Sequence, residues 1–193
     1  MQWQAPLALM LLLLLTETLG DTGRQWLAFD RGAIESGQVW RLLTGNLVHL
    51  GWWHWFLNEL GLVVLVLLCP QPLPGREWAR RVVLLALSTS AGLYLAVPGL
   101  GHYVGMSGVI HGLFVLGLLP QARRGDLIAL GCLLYLFGKI GWELYAGAPV
   151  SDEQAIGGRV IVESHLFGVL GALGYALMCR FWTRGGSAAK ETI

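Results

Sequence analysis

Six long apolar runs, separated by polar or Pro/Gly-rich breaks, dominate the chain: Trp3 to Leu19, Leu47 to Cys69, Ala79 to Val97, Ser107 to Leu119, Leu127 to Tyr145 and Val160 to Trp182. None of them alternates apolar with polar positions, as a lipid-spanning sheet must when it closes into a barrel. A helix needs about 20 apolar residues to cross roughly 30 Å of hydrocarbon, and most of these runs are of that order. The pattern predicts an all-α membrane protein, a bundle of six transmembrane helices. One membrane domain is expected over residues 1–183, followed by a short polar cytoplasmic tail over 184–193.

Two stretches do not fit a plain span. The uninterrupted part of the first run, Ala5 to Leu15, also suits the apolar core of a cleaved signal peptide, although no Lys or Arg precedes it. Gly20 to Val39 is too polar to cross and too long for a tight turn. An outer-surface loop with some amphipathic structure is expected there.

Composition sharpens the picture. Hydrophobic residues make up 55% of the 193 and charged residues only 13%, too little polar surface for a water-soluble globule. The 27 glycines suit helices that pack closely in lipid. A net charge of +1 leaves no basic stripe for nucleic acid. Cys69, Cys132 and Cys179 form no CxxC pair and read as inert apolar residues.

Lys and Arg collect on the cytoplasmic side of membrane helices. With the amino terminus inside, the inner segments hold Arg76, Arg80, Arg81, Arg123, Arg124, Arg180, Arg184 and Lys190. The outer ones hold Arg24, Arg31, Arg41 and Arg159, and Lys139 falls within a span. Both termini are therefore expected in the cytoplasm.

The fourth run is short. From Ser107 to Leu119 a helix reaches only about 20 Å, so with Pro120 at the inner boundary Ser107 lies on the order of 10 Å below the outer surface. The preceding Gly99 to Gly105 must descend as non-helical backbone, which persists at that depth only against protein or a water-filled cavity. Ser107 also opens a helix, where free N–H groups and the helix dipole favour a developing negative charge. Serine in a membrane helix commonly just bonds its own backbone, and Gly108 to Gly112 is itself a close-packing GxxxG.

Histidine favours chemistry over packing. Of His49, His54, His102, His111 and His165, at least three fall within spans, where an ionisable group needs a partner or a task. His165 precedes Gly168 and Ala172 at helical spacing, so its face can approach a neighbouring helix and put a base near Ser107. His54 and Asn58 share one side of the second span and can both donate hydrogen bonds. The predicted site is a Ser107–His165 dyad with an oxyanion hole from His54, Asn58 and the Ser107 N–H. No carboxylate is assigned as a third member: Glu163 lies roughly 200° around the helix from His165. Lys139 and Glu143, one turn apart, are expected to pair, while Glu59 needs either a partner or a proton.

Three separated motifs resemble those of the rhomboid intramembrane serine proteases. They are Trp40-Arg41 before the second span, the spacing of His49, His54 and Asn58, and Gly105-Met106-Ser107-Gly108 as a GxSG nucleophile motif, followed by His165 and Gly168 in the last span. The resemblance implies a serine endopeptidase with Ser107 and His165 catalytic, His54 and Asn58 in the oxyanion hole, and His49, Gly105, Gly108, Gly168, Trp40 and Arg41 in support. No cofactor or metal is expected.

Four residues after the nucleophile many rhomboids have a tyrosine, and here it is His111. With six spans and short loops, the chain looks similar to rhombosortase, the bacterial branch of the family. That similarity implies membrane-anchored substrates with a Gly-Gly carboxy-terminal sorting tail, and transfer of the new carboxyl end to an ethanolamine-containing lipid-derived group. It further implies a bacterial inner-membrane location with the site open to the periplasm. His111 is expected to pack beside His165 and shape a pocket for the second nucleophile, or to act as a polar filler. The loop Ala146 to Gly158 reads equally as a lid and as a plain connection. HExxH and GxGD are absent, which excludes zinc and aspartyl intramembrane proteases. A haem-binding or proton-carrying membrane protein and an inactive rhomboid relative stand as rivals.

Overall fold

The computed structural model describes residues 3–70 and 72–188, with side chains to Arg180. In chain order the elements are α1 (Gln4–Thr18), α2 (Gly20–Leu27), β1 (Phe29–Asp30), α3 (Arg31–Glu35), α4 (Arg41–Thr44), α5 (Trp52–Leu68) and α6 (Gly75–Ala96). Then follow β2 (His102–Tyr103), α7 (Ser107–Ala122), α8 (Leu127–Ala146), α9 (Glu153–Ile156) and α10 (Glu163–Ala188). Each of the six apolar runs holds one long helix.

The outside of the bundle is as apolar as its inside. Leu11, Leu15, Leu67, Leu95, Leu134 and Leu177 are all more than half exposed, an arrangement that water would penalise and lipid does not. Helices α6 and α8 are each long and apolar enough to cross a membrane, while α5 and α7 are shorter apolar helices. At 16 residues α7 is only about 24 Å long. It is nonetheless the most enclosed element: Val109, Val115 and Leu118 are almost fully buried among α5, α6, α8 and α10.

Helix boundaries depart from the apolar runs at several ends, and three of these matter here. The second apolar run is helical only from Trp52, so His49 sits in the irregular segment ahead of α5. The fourth continues past Pro120 to Ala122, because a proline in the last turn forfeits one N–H bond while the remaining carbonyls are still met. The last helix runs through Arg184 to Ala188, so the first half of the expected polar tail is helical; residues 189–193 of that tail lie outside the described residues.

The segment between α1 and α5 is folded against the bundle. Helix α2 turns 107° from α1, and β1 pairs antiparallel with β2, Phe29 opposite Tyr103 and Asp30 opposite His102. Arg41 ties this segment together: its guanidinium donates to the Ala28 carbonyl (2.8 Å), the Gln25 carbonyl (3.0 Å) and Gln38 Oε1 (2.8 Å). Trp40 is exposed, its indole N–H reaching the Trp26 carbonyl at 3.5 Å. The short β ladder fastens this segment to the strand that leads down to Ser107.

Candidate active site

Ser107 is the first residue of α7, delivered there by backbone that a side chain would obstruct. Gly105 has φ +125°, a left-handed region that non-glycine residues avoid, and a β-carbon there would lie 2.7 Å from His54 Cε1. The Gly105 N–H donates to the Gly45 carbonyl, and the Tyr103 hydroxyl donates to the Gly105 carbonyl at 2.7 Å. The descent is thus bonded from both sides.

Close contact between α7 and α10 brings the two key side chains together. Ideal β-carbons on Gly108 and Gly112 would meet the Ser164 and Gly168 carbonyl oxygens at 2.6 Å, so the backbones touch only because side chains are missing. At that approach His165 Nε2 lies 3.1 Å from Ser107 Oγ.

Glu143 of α8 completes the arrangement. Its Oε2 is 2.9 Å from His165 Nδ1, and its Oε1 accepts from Lys139 Nζ (2.8 Å) and the Val150 N–H (3.1 Å). A carboxylate here corrects the expectation that none stands behind His165. The missed signal was local: the i,i+4 pairing with Lys139 exists, but it uses only one of the two carboxylate oxygens. Because a carboxylate accepts and does not donate, the neutral His165 carries its proton on Nδ1 and turns its Nε2 lone pair to the serine hydroxyl.

His111 lies flat against His165, ring centroids 4.1 Å apart and planes 18° from parallel. Its Nδ1–H donates to the Ser107 carbonyl (2.7 Å), which leaves Nε2 as the acceptor facing Lys139 Nζ at 3.3 Å. The expected packing of His111 beside His165 is what the geometry has.

On the opposite wall His54 accepts the Leu50 N–H at Nδ1 (3.3 Å), so its Nε2 carries the proton. One N–H of the Asn58 amide is used on the His54 carbonyl at 2.8 Å, and the other is free of that bond. His49, fully buried, sets its ring edge-on to His54 at 5.2 Å. A cavity of about 170 Å³ is lined by His54, Asn58, Ser107, His111, Lys139 and His165, by Ser151 and Ile156 from the Ala146 to Gly158 loop, and by Val160 just beyond it. Trp40 and Arg41 belong to the surface segment described above. Among the described residues no group of three His, Cys, Asp or Glu side chains is placed to hold a metal ion.

The family model of the Rhomboid domain matches residues 36–181, three quarters of the chain and all of this constellation. The chain belongs to the rhomboid family of intramembrane serine proteases. It is similar to the "Putative rhomboid protease YdcA" of Bacillus subtilis (strain 168), 27% identical over 151 residues that cover 76% of this chain and 70% of that one. This rhomboid is accordingly a multi-pass integral membrane protein and a serine endopeptidase acting on membrane protein substrates.

Proposed function

We propose that this rhomboid cleaves exported proteins at a Gly-Gly carboxy-terminal sorting tail, as a rhombosortase-like enzyme, through an acyl-enzyme on Ser107. The observation that carries the serine chemistry is the 3.1 Å approach of His165 Nε2 to Ser107 Oγ on the wall of a cavity that His54 and Asn58 also line. His165 takes the hydroxyl proton as Oγ attacks the scissile carbonyl, then gives it to the departing amine. The Ser107 N–H, His54 Nε2–H and the second Asn58 N–H stabilise the oxyanion, each donor worth on the order of 10²- to 10³-fold in rate. The six apolar runs support six spans, the Lys and Arg bias supports both termini in the cytoplasm, and the resemblance to rhombosortase supports a bacterial inner membrane with the cavity open to the periplasm.

The acyl-enzyme can be resolved by water or by an amine, and an amine prevails only where it is positioned and water is limited. His111 supports the second route, since it fills the tyrosine position of other rhomboids with a smaller ring and leaves an ammonium, Lys139, on the same cavity. An ethanolamine-containing lipid or its head group is the amine expected there. Co-expression with a protein bearing a Gly-Gly tail, followed by mass measurement of the mature carboxy terminus, tests this reading. Removal of the tail by the wild type and not by Ser107→Ala supports it. An intact tail alongside cleavage of ordinary transmembrane substrates leaves a general rhomboid protease.

A further inference from the structure

We infer that Glu143 is a positioning residue for His165, so that the site works as a Ser107–His165–Glu143 relay with Lys139 and the Val150 amide holding the carboxylate in place. The inference rests on the reading of Ser107 and His165 as nucleophile and base.

The division of labour between the two carboxylate oxygens is what points to this role. A Glu143 present only to neutralise Lys139 would be complete with Oε1, which takes both the ammonium and the Val150 N–H. Oε2 is left with His165 Nδ1 at 2.9 Å, in a side chain only 1% exposed. The carboxylate therefore selects the tautomer that aims Nε2 at Ser107 Oγ, and it faces the imidazolium formed when the hydroxyl proton moves. Lys139 keeps the buried pair near neutrality, and its ammonium is directed to His111 and Glu143.

Tautomer selection matters more here than at a surface, because His165 is almost fully buried and protein groups rather than solvent orient its ring. With Glu143 removed, Nδ1 has no acceptor among the contacts seen, and the ring is free to carry its proton on Nε2, where it cannot act as base. The groups facing His165 are Ser107 and His111 from α7, His54 from α5, Lys139 and Glu143 from α8, and Glu163 on α10 itself. Of these, Glu143 is the one carboxylate bonded to the ring.

A fluorophosphonate probe tests the relay without knowledge of the substrate. Oγ–P forms, P–F breaks, fluoride leaves, and the hydroxyl proton passes to His165 Nε2. Labelling rates are measured from pH 5 to 9 on the full chain in detergent for wild type, E143Q, E143D and the K139M/E143Q pair, with S107A as blank and melting temperatures alongside. E143Q is expected to slow labelling on the order of 10²-fold or more. Its ascending pH limb is expected to move to lower pH, because a carboxylate beside the ring favours the imidazolium and its loss lets His165 stay neutral in more acid solution. E143D restores part of the rate. The K139M/E143Q pair shows the same slowing without an unpaired ammonium, which separates the relay from misfolding. Folded E143Q or K139M/E143Q protein that labels within about threefold of wild type, with an unmoved midpoint, overturns the inference. Wild type that no fluorophosphonate labels overturns the reading of Ser107 and the relay together.

Discussion

Gly168 of α10 lies so close to Gly108 of α7 that a β-carbon built on it would sit 1.9 Å from the Gly108 carbonyl oxygen. The neighbouring Ser107 and His165 owe their contact to this approach, since each is one to three residues away on the same two helices. Gly168→Ala must push backbone from backbone, with no flexible side chain able to yield. We expect loss of at least 10²-fold in fluorophosphonate labelling, because a shift near 1 Å at the reacting atoms suffices for that. Stability should fall by about 1–3 kcal/mol or more. Labelling rates and melting in detergent check both; a fully active Gly168→Ala would refute the close-packing account.

How far the sequence reveals this site depends on whether the relevant spacing is local. The pairing of His54 with Asn58, the start of α7 at Ser107 and the small face of Gly168 and Ala172 all follow helical periodicity within one element, and all were readable. Glu143 and His165 stand 22 residues apart on different helices, and their contact depends on how α8 packs beside α10. One clue was present in the chain: a glutamate inside a span offers several acceptor sites, and a single lysine one turn away does not fill them. The helical run through Arg184 was unreadable for the opposite reason, since Gly185 and Gly186 are poor helix formers that the end of α10 overrides.

The oxyanion donors should separate from the binding groups in kinetics. Asn58→Ala removes an amide that lines the cavity but leaves the Ser107–His165 contact intact. A fall in kcat of about 10²- to 10³-fold with little change in KM is expected, because the donor acts on charge that develops only in the transition state. A change confined to KM would instead place Asn58 in ground-state binding.

His111→Tyr exchanges one aromatic neighbour of His165 for another and removes both polar contacts of the imidazole. The Ser107 carbonyl loses its donor and Lys139 loses an acceptor. If His111 shapes the pocket of the second nucleophile, the ratio of aminolysis to hydrolysis products drops by about tenfold, the value of one hydrogen bond. Mass spectrometry of the mature carboxy termini reads that ratio directly. An unchanged ratio would make His111 a packing residue.

Arg41 acts at a distance from the chemistry. Arg41→Ala would remove the bonds to the carbonyls of exposed Gln25 and half-buried Ala28, costing about 1–3 kcal/mol. Arg41→Lys keeps the charge but cannot reproduce the fork, so it should recover less than half of that loss. Melting temperatures in detergent distinguish the two. Labelling per folded molecule is expected to change much less than stability.

The ladder that leads toward Ser107 has a pH signature of its own at Asp30, between α1 and α5. Asp30 caps α3 by accepting the Ala33 N–H at 2.9 Å, and His102 Nε2 lies 2.8 Å from its other oxygen. The Ala33 N–H first, against a smaller opposing effect of burial, and then the His102 imidazole hold the carboxyl below its usual range. A carboxyl depressed in the folded state adds stability that is fully present above its unfolded value of about 3.9 and is lost as pH falls through the lower folded value. Asp30→Asn retains a capping oxygen but not the charge. Wild type should therefore melt above Asp30→Asn at pH 7, with the gap beginning to close below about pH 4 and closing fully only below the lowered folded value. At a side chain one third exposed the gap is worth under about 1 kcal/mol. A gap that persists unchanged at pH 3 would show that the capping bond, rather than the charge, is what Asp30 contributes.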